Sequence, residues 1–392
     1  MNCLADTMYL NISEQELIDQ NAFATAKEIS QQPNSWRKTL QALEPKKALI
    51  HDFISTFLSF DNGRVVLTGA GTSAFAGRAL APYFTGHLKR RIDAVATTDI
   101  VTDPAEYFAE NCPTLLVSFA RSGNSPESVA AVELASQILD NCYHLVITCN
   151  EQGRLYQRAK DDARSLALLM PAETNDVSFA MTSSLTSMMV ACLHALLPEK
   201  FDMARFEALS TACESMLTAS IGVIRDIAAL NAQKVIYLGS GSLQGVAQES
   251  ALKLLELTAG KLLVSFDSPV GFRHGPKSVV DETSLIVVFI SNDPYTRQYD
   301  LDLLKELRAD NQALRVVALT TDVDSVVAEG DYVKIPDFPG ADDATLAFPF
   351  LMFAQIYAFT RSLNLGIGPD NPCPSGEVNR VVQGVNIYPF IN

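Results

Sequence analysis

The sequence predicts an α/β protein made of two copies of one unit, each a parallel sheet covered by helices on both faces. Two observations carry this. Short apolar runs of strand length alternate with helix-length segments, and the alternation repeats: "RVVLTGAGTSAFAG" (64–77) and "KVIYLGSGSLQGVA" (234–247) both run from a buried-strand pattern into G-x-G-[TS] and a helix start, about 170 residues apart. The offset returns twice downstream. "TLLVSFARSGNSPES" (114–128) aligns with "SLIVVFISNDPYTRQ" (284–298), and "YHLVITCNE" (143–151) with "LRVVALTTD" (314–322). Three matches at one offset mark a duplication.

Taken in chain order, residues 13–60 read as helices around Trp36 and precede the first copy. Each copy then closes on a strand, "LALLMP" or "YVKIP", followed by a long apolar helix, 179–197 or 346–363. A Pro/Gly-rich tail with an apolar end follows and is expected to pack against the body. The expected organisation is a helical extension over 1–50, a first domain over 51–215, a second over 216–366 and a tail over 367–392.

Composition narrows the function. The chain has 392 residues, 48% hydrophobic and 19% charged, with a formal charge of −15, whose long-range field repels nucleic acid and anionic membranes. No apolar run approaches the roughly 18 residues of a membrane span, and the start lacks a secretory signal pattern, so a cytoplasmic protein is expected. Seven cysteines (Cys3, Cys112, Cys142, Cys149, Cys192, Cys213, Cys373) are scattered without a CxxC, and five histidines show no zinc-binding spacing. Neither a disulfide framework nor a metal site is indicated.

Ligands of open parallel sheets sit beyond the carboxyl ends of the strands, where glycine-rich turns present backbone N–H groups. The first copy has two such turns. "GAGTS" offers Gly69 and Gly71 for close approach, with Thr72 and Ser73 opening the helix, and "FARSGNSPES" offers Arg121, Ser122, Ser125 and Ser128 around Gly123. Hydroxyls and amides in such a nest suit a phosphate monoester. A G-x-G pair also fits a dinucleotide, but the third glycine survives only as Ala74, and the second Ser-rich turn is then unexplained. Ser122 and Ser125 also suit capping of the helix that begins near Pro126.

The second copy lacks this chemistry, since its matching turn "ISNDPYT" places Asp293 where it would repel a phosphate. It has instead the helix "QESALKLLELTAGKL", with Glu249, Lys253 and Glu256 at i, i+4 and i+7 on one face. Such a stripe is either a surface ion-pair row or, because Ala251, Leu252, Leu254, Leu255 and Leu257 flank it, a set of buried charges. Buried charges of this kind mark a candidate active site. Further on, "GFRHGPKS" (271–278) sets His274 in a loop that Pro276 and two glycines keep out of helical geometry.

The ordered set "TGAGTSAFAG", "SFARSGNSPES", "LGSGSLQG", "ESALKLLELTAGKL", "GFRHGPKS" and "VNRVVQGV" resembles the sugar isomerase (SIS) domain family over essentially the whole chain, and within it the AgaS group of galactosamine-6-phosphate deaminase/isomerases and tagatose-6-phosphate ketose/aldose isomerases. The resemblance implies two flavodoxin-like domains of about five parallel strands each. It implies a phosphorylated sugar substrate, no cofactor or metal, and an active site completed across a homodimer. It carries phosphate binding to Gly71, Thr72, Ser73, Arg121, Ser122 and Ser125, the C1–C2 proton transfer to Glu256, support to Glu249 and Lys253, and ring opening to His274 from the neighbouring subunit. The family's synthase has a lysine in its C-terminal tail where this chain has Gln383, which leaves more of the ring opening to His274. The reaction so implied is isomerising deamination of galactosamine 6-phosphate to tagatose 6-phosphate and ammonium. The alternatives are aldose–ketose isomerisation without loss of nitrogen and a non-catalytic sugar-phosphate sensor; the absence of a basic recognition helix in 13–60 speaks against a DNA-binding sensor.

Overall fold

The computed structural model describes residues 7–382 and 384–391. Cys3 and Gln383 lie outside the described residues. The chain forms two compact units, one of Asn34–Asp176, Ser183–Phe206 and Val378–Asn392, the other of Met1–Pro33, Val177–Thr182 and Glu207–Glu377.

The first-copy unit holds five parallel strands, β1 (Arg64–Thr68), β2 (Ile92–Ala94), β3 (Thr114–Ala120), β4 (Cys142–Thr148) and β5 (Ser165–Leu169), in the order β2-β1-β3-β4-β5. Every residue of β1 and β3 is buried. That is why these strands read as continuous apolar runs rather than alternating ones. One face packs on α2 (Thr97–Thr102) and α3 (Pro126–Ile138) through Val66, Leu116, Ala120, Val132 and Val146. The helices α1 (Thr72–Leu88) and α4 (Ser183–Leu196) also pack together, and α4 is buried throughout. Trp36, in the helix Gln32–Leu43, is fully buried and donates from Nε1 to Thr186 Oγ1 at 2.9 Å.

The second-copy unit repeats the design. Strands β6 (Lys234–Leu238), β7 (Leu263–Asp267), β8 (Ser284–Phe289), β9 (Arg315–Thr320) and β10 (Tyr332–Lys334) run parallel in the order β7-β6-β8-β9-β10. The strand order is the same in both sheets, with the first strand between the second and the third, so both copies have their switch point beside the first G-x-G turn. The duplication extends to torsion angles: Gly71 has φ 54°, ψ −126° and Gly241 has φ 57°, ψ −122°. Helix α5 (Ser242–Leu257) packs on α7 (Asp343–Asn364), and α6 (Pro294–Asp310) covers β8 and β9.

Among the described residues, α7 alone is long and apolar enough to cross a membrane, and it is 89% buried inside the protein. Its apolar surface is used as core. Cys112, Cys142, Cys149, Cys192 and Cys213 are buried as well, and burial pushes the Cys149 thiol up to about 12, which suits an inert core residue. The tail is tethered rather than fully packed. Phe390 accepts from Gln137 and Arg380 donates to Asp176, while Val382 and Tyr388 remain exposed.

Candidate active site

In the first-copy unit, the turn after β1 is shaped by two glycines for different reasons. A Cβ on Gly69 would lie 2.5 Å from Ser73 Cβ, so the turn closes only with glycine there, and Gly71 takes a positive φ immediately before α1. Thr72 and Ser73 follow as the first residues of α1 and are buried. The second turn follows β3. Arg121 is buried and donates from Nη2 to the Arg380 carbonyl at 2.8 Å, and Ser122 Oγ accepts from the Asn124 amide at 3.3 Å. Ser125 occupies the N-cap position of α3, yet its hydroxyl makes no capping hydrogen bond. Capping therefore does not account for this serine.

A third segment, which the sequence reading did not single out, holds the second turn in place. Asn150 Nδ2 donates to the Ser122 carbonyl at 2.8 Å, Leu155 N donates to the Gly123 carbonyl, and Arg154 N donates to Asn124 Oδ1. Gly153 lies so close that a Cβ there would sit 2.6 Å from the Ser122 carbonyl oxygen. The signal available in the sequence was the glycine in "CNEQGR" after β4.

In the second-copy unit, α5 brings its three charged residues together. Lys253 is fully buried and Glu249 nearly so, with Lys253 Nζ 3.4 Å from Glu249 Oε1 and donating to Glu256 Oε2. Burial alone would pull the lysine down, but the two carboxylates overcome it and hold Lys253 above the ordinary lysine range. The helix is not enclosed all round. Leu255 is exposed, and beside it the Glu256 side chain keeps 24% of its surface. Of the three charges, Glu256 is the one that reaches solvent.

His274 stands apart from this trio, with no hydrogen bond or ion pair joining them among the described residues. Its ring is exposed, in a turn between the short helix Pro269–Phe272 and the 3₁₀ turn Pro276–Val279, with Gly275 at φ 122°. The residues flanking it grip α6. Arg273 Nε lies 2.7 Å from Glu306 Oε2, and Lys277 pairs with Glu306 and, at 2.5 Å, with Asp310.

The corresponding turns of the second copy are filled from within. Asp293 caps α6, accepting from the amides of Tyr295 and Thr296. Two other carboxylates fill the turns: Asp300 accepts from Ser240 Oγ at 2.6 Å and from the Ser291 amide at 2.9 Å, and Asp343 accepts from Ser291 Oγ and the Asn292 amide. Donors that would face a bound anion are thus satisfied from within. Desolvation raises both acids, Asp300 to about 6. Among the described residues, no group of three or more His, Cys, Asp or Glu side chains is placed to hold a metal ion.

Two parallel five-stranded sheets of one strand order, one copy with a hydroxyl-rich turn and the other with a buried carboxylate–lysine–carboxylate row, define a duplicated α/β protein. The chain belongs to the SIS domain family, whose model matches residues 59–198 and 230–355. It is 51% identical over 367 residues to the D-galactosamine-6-phosphate deaminase AgaS of Escherichia coli, covering 93% of this chain and 96% of that protein. It is 46% identical over 385 residues to the D-galactosamine-6-phosphate deaminase AgaS of Shewanella sp. (strain ANA-3), covering 97% and 96%. The crystal structure of tagatose-6-phosphate ketose/aldose isomerase from Escherichia coli superposes with a TM-score of 0.88 at 49% identity, covering 94% of this chain and 96% of that one.

Proposed function

We propose that the chain is an isomerising deaminase that converts D-galactosamine 6-phosphate to tagatose 6-phosphate and ammonium. Two relatives carrying the deaminase name match over more than nine-tenths of both chains, which supports the substrate class. The observation that carries the chemistry is the solvent-reaching carboxylate of Glu256, held by a lysine buried behind it. A carboxylate so held is fixed in place for proton transfer.

In this reading the phosphate is held by Gly71, Thr72, Ser73, Arg121, Ser122 and Ser125, three or four charge-assisted hydrogen bonds being worth about 1.5–3 kcal/mol each. His274, supplied by the neighbouring subunit of a homodimer, moves the proton that opens the sugar ring. An imidazole has two ring nitrogens and can both give and take a proton. Glu256 then removes the C2 proton of the open-chain aldehyde as O1 takes up a proton, giving an enolamine, and returns that proton to C1 as the nitrogen gives one up. The product is a C2 ketimine. Water adds to C2 and the C–N bond breaks, leaving the ketose phosphate and ammonium, a hydrolytic step. Glu249 and Lys253 orient Glu256. A charged phosphate ester does not cross membranes unaided, which supports a cytoplasmic location for this reading.

Isomerisation of tagatose 6-phosphate without deamination is the second reading, favoured by the name of the Escherichia coli structure. Incubating the purified chain with galactosamine 6-phosphate and with tagatose 6-phosphate, and measuring ammonium and both sugar phosphates, separates them. One ammonium per tagatose 6-phosphate formed is expected. Aldose formed from tagatose 6-phosphate, with no ammonium from the amino sugar, selects the second reading.

A further inference from the structure

Beneath the first-copy turns lies a cluster of oxygen atoms that none of the roles above uses. Thr68 ends β1 and Ser118 lies opposite it in β3, the two being register partners. Val66, Leu116 and Ala120 face α2 and α3, and alternation along a strand puts Thr68 and Ser118 on the same face. Thr97 opens α2, with its amide bonded to the Gly69 carbonyl at 2.8 Å, and Glu127 is the second residue of α3, which packs against α2. These side chains are 0%, 2%, 1% and 4% exposed for Thr68, Ser118, Thr97 and Glu127. Each has a buried oxygen (Thr68 Oγ1, Ser118 Oγ, Thr97 Oγ1, Glu127 Oε2) with no hydrogen-bond partner among the described residues.

Buried polar atoms are nearly always bonded, and a buried charge is paired or coordinates a cation. Four such atoms, on two paired strands and on two helices that pack against each other, are a set rather than scattered exceptions. The donor set is all oxygen, three neutral hydroxyls and one carboxylate, without nitrogen or sulfur. Hard oxygen donors select hard cations, and the single negative charge matches a single positive one. A water molecule would satisfy the hydroxyls but bring no positive charge to the Glu127 carboxyl beneath turns that are to take a phosphate, where like charges repel.

We propose that Thr68, Thr97, Ser118 and Glu127 form a binding site for a monovalent alkali cation, sodium or potassium, that neutralises Glu127 beneath the phosphate turns. The site stands on the buried oxygens alone; its effect on catalysis rests on the phosphate-binding reading. Bound cation and bound phosphate are then coupled, so each raises the other's affinity.

The test uses the full chain at constant ionic strength in chlorides of sodium, potassium or rubidium, with tetramethylammonium as the reference cation. The expected results are a saturable rise in Tm with an alkali cation and an anomalous rubidium peak in crystals bounded by the four oxygens. Km for galactosamine 6-phosphate should fall about 5-fold or more with kcat little changed, the lower end of ordinary coupling between two sites. E127Q should lose all three responses, and S118A, the milder change, should weaken them if E127Q does not fold. The same Tm and Km in every salt, with an ordered water and no rubidium peak at the oxygens, overturns the proposal. If the amino sugar is not turned over at all, the reaction is misassigned, while the Tm and the rubidium peak still decide the cation site.

Discussion

Lys253 donates a hydrogen bond to the carboxylate of Glu256 three residues further along the same helix, from a position with no solvent contact of its own. The donor is buried and the acceptor is partly open, so the two ends of this pair respond differently to substitution.

Replacing Glu256 with Gln should lower kcat by about 10²–10⁴, the range for removal of a general base, while leaving substrate binding and stability nearly unchanged. Replacing Lys253 with Met should instead cost about 3–5 kcal/mol in urea unfolding, because Glu249 is left as a buried charge without its partner. An E256Q enzyme that keeps most of its turnover removes Glu256 from the role.

Asp300 makes stability depend on pH. Its acid is raised from 3.8 to about 6, with desolvation by burial as the main cause. Below pH 3.8 both folded and unfolded chains hold the proton; between 3.8 and 6 only the folded chain does, so unfolding releases a proton and stability falls as pH rises. Above 6 the penalty is constant at about 3 kcal/mol, from a shift of about two units at 1.36 kcal/mol each. The difference in unfolding free energy between wild type and D300N, measured from pH 4 to 7, should decline by about that amount. A flat difference would mean that the folded chain releases this proton at an ordinary pH.

Gly153 packs against the second turn. A methyl group there collides with the Ser122 carbonyl, so G153A should displace Ser122 and raise Km for the phosphosugar about 10-fold to 10²-fold, the scale of an ångström-sized misplacement. An unchanged Km would show that the turn yields without consequence.

Glu306 ties both flanks of the His274 loop to α6. Its ion pairs are partly exposed, so E306A should change stability by no more than about 1 kcal/mol. The released loop should nevertheless lower kcat several-fold, with E306Q in between. Stability lost in parallel with activity would make Glu306 a structural residue only.

The duplicated strands, the G-x-G turns and the face shared by Glu249, Lys253 and Glu256 were legible in the sequence because each is set by local periodicity or local torsion. Strand alternation, helical spacing and the backbone freedom of Gly71 and Gly241 act within a few residues. The gripping of Ser122 by Asn150 and Gly153, the filling of the second copy's turns by Asp300 and Asp343, and the hydrogen bond from Arg121 to Arg380 were decided by tertiary structure. These partners lie from 9 to 259 residues apart in the chain, and whether a polar group finds one depends on which elements the packed core brings beside it. The exposure of Glu256 beside a buried Lys253 was settled the same way, since helical spacing fixes the shared face but only neighbouring elements decide which end of it stays open.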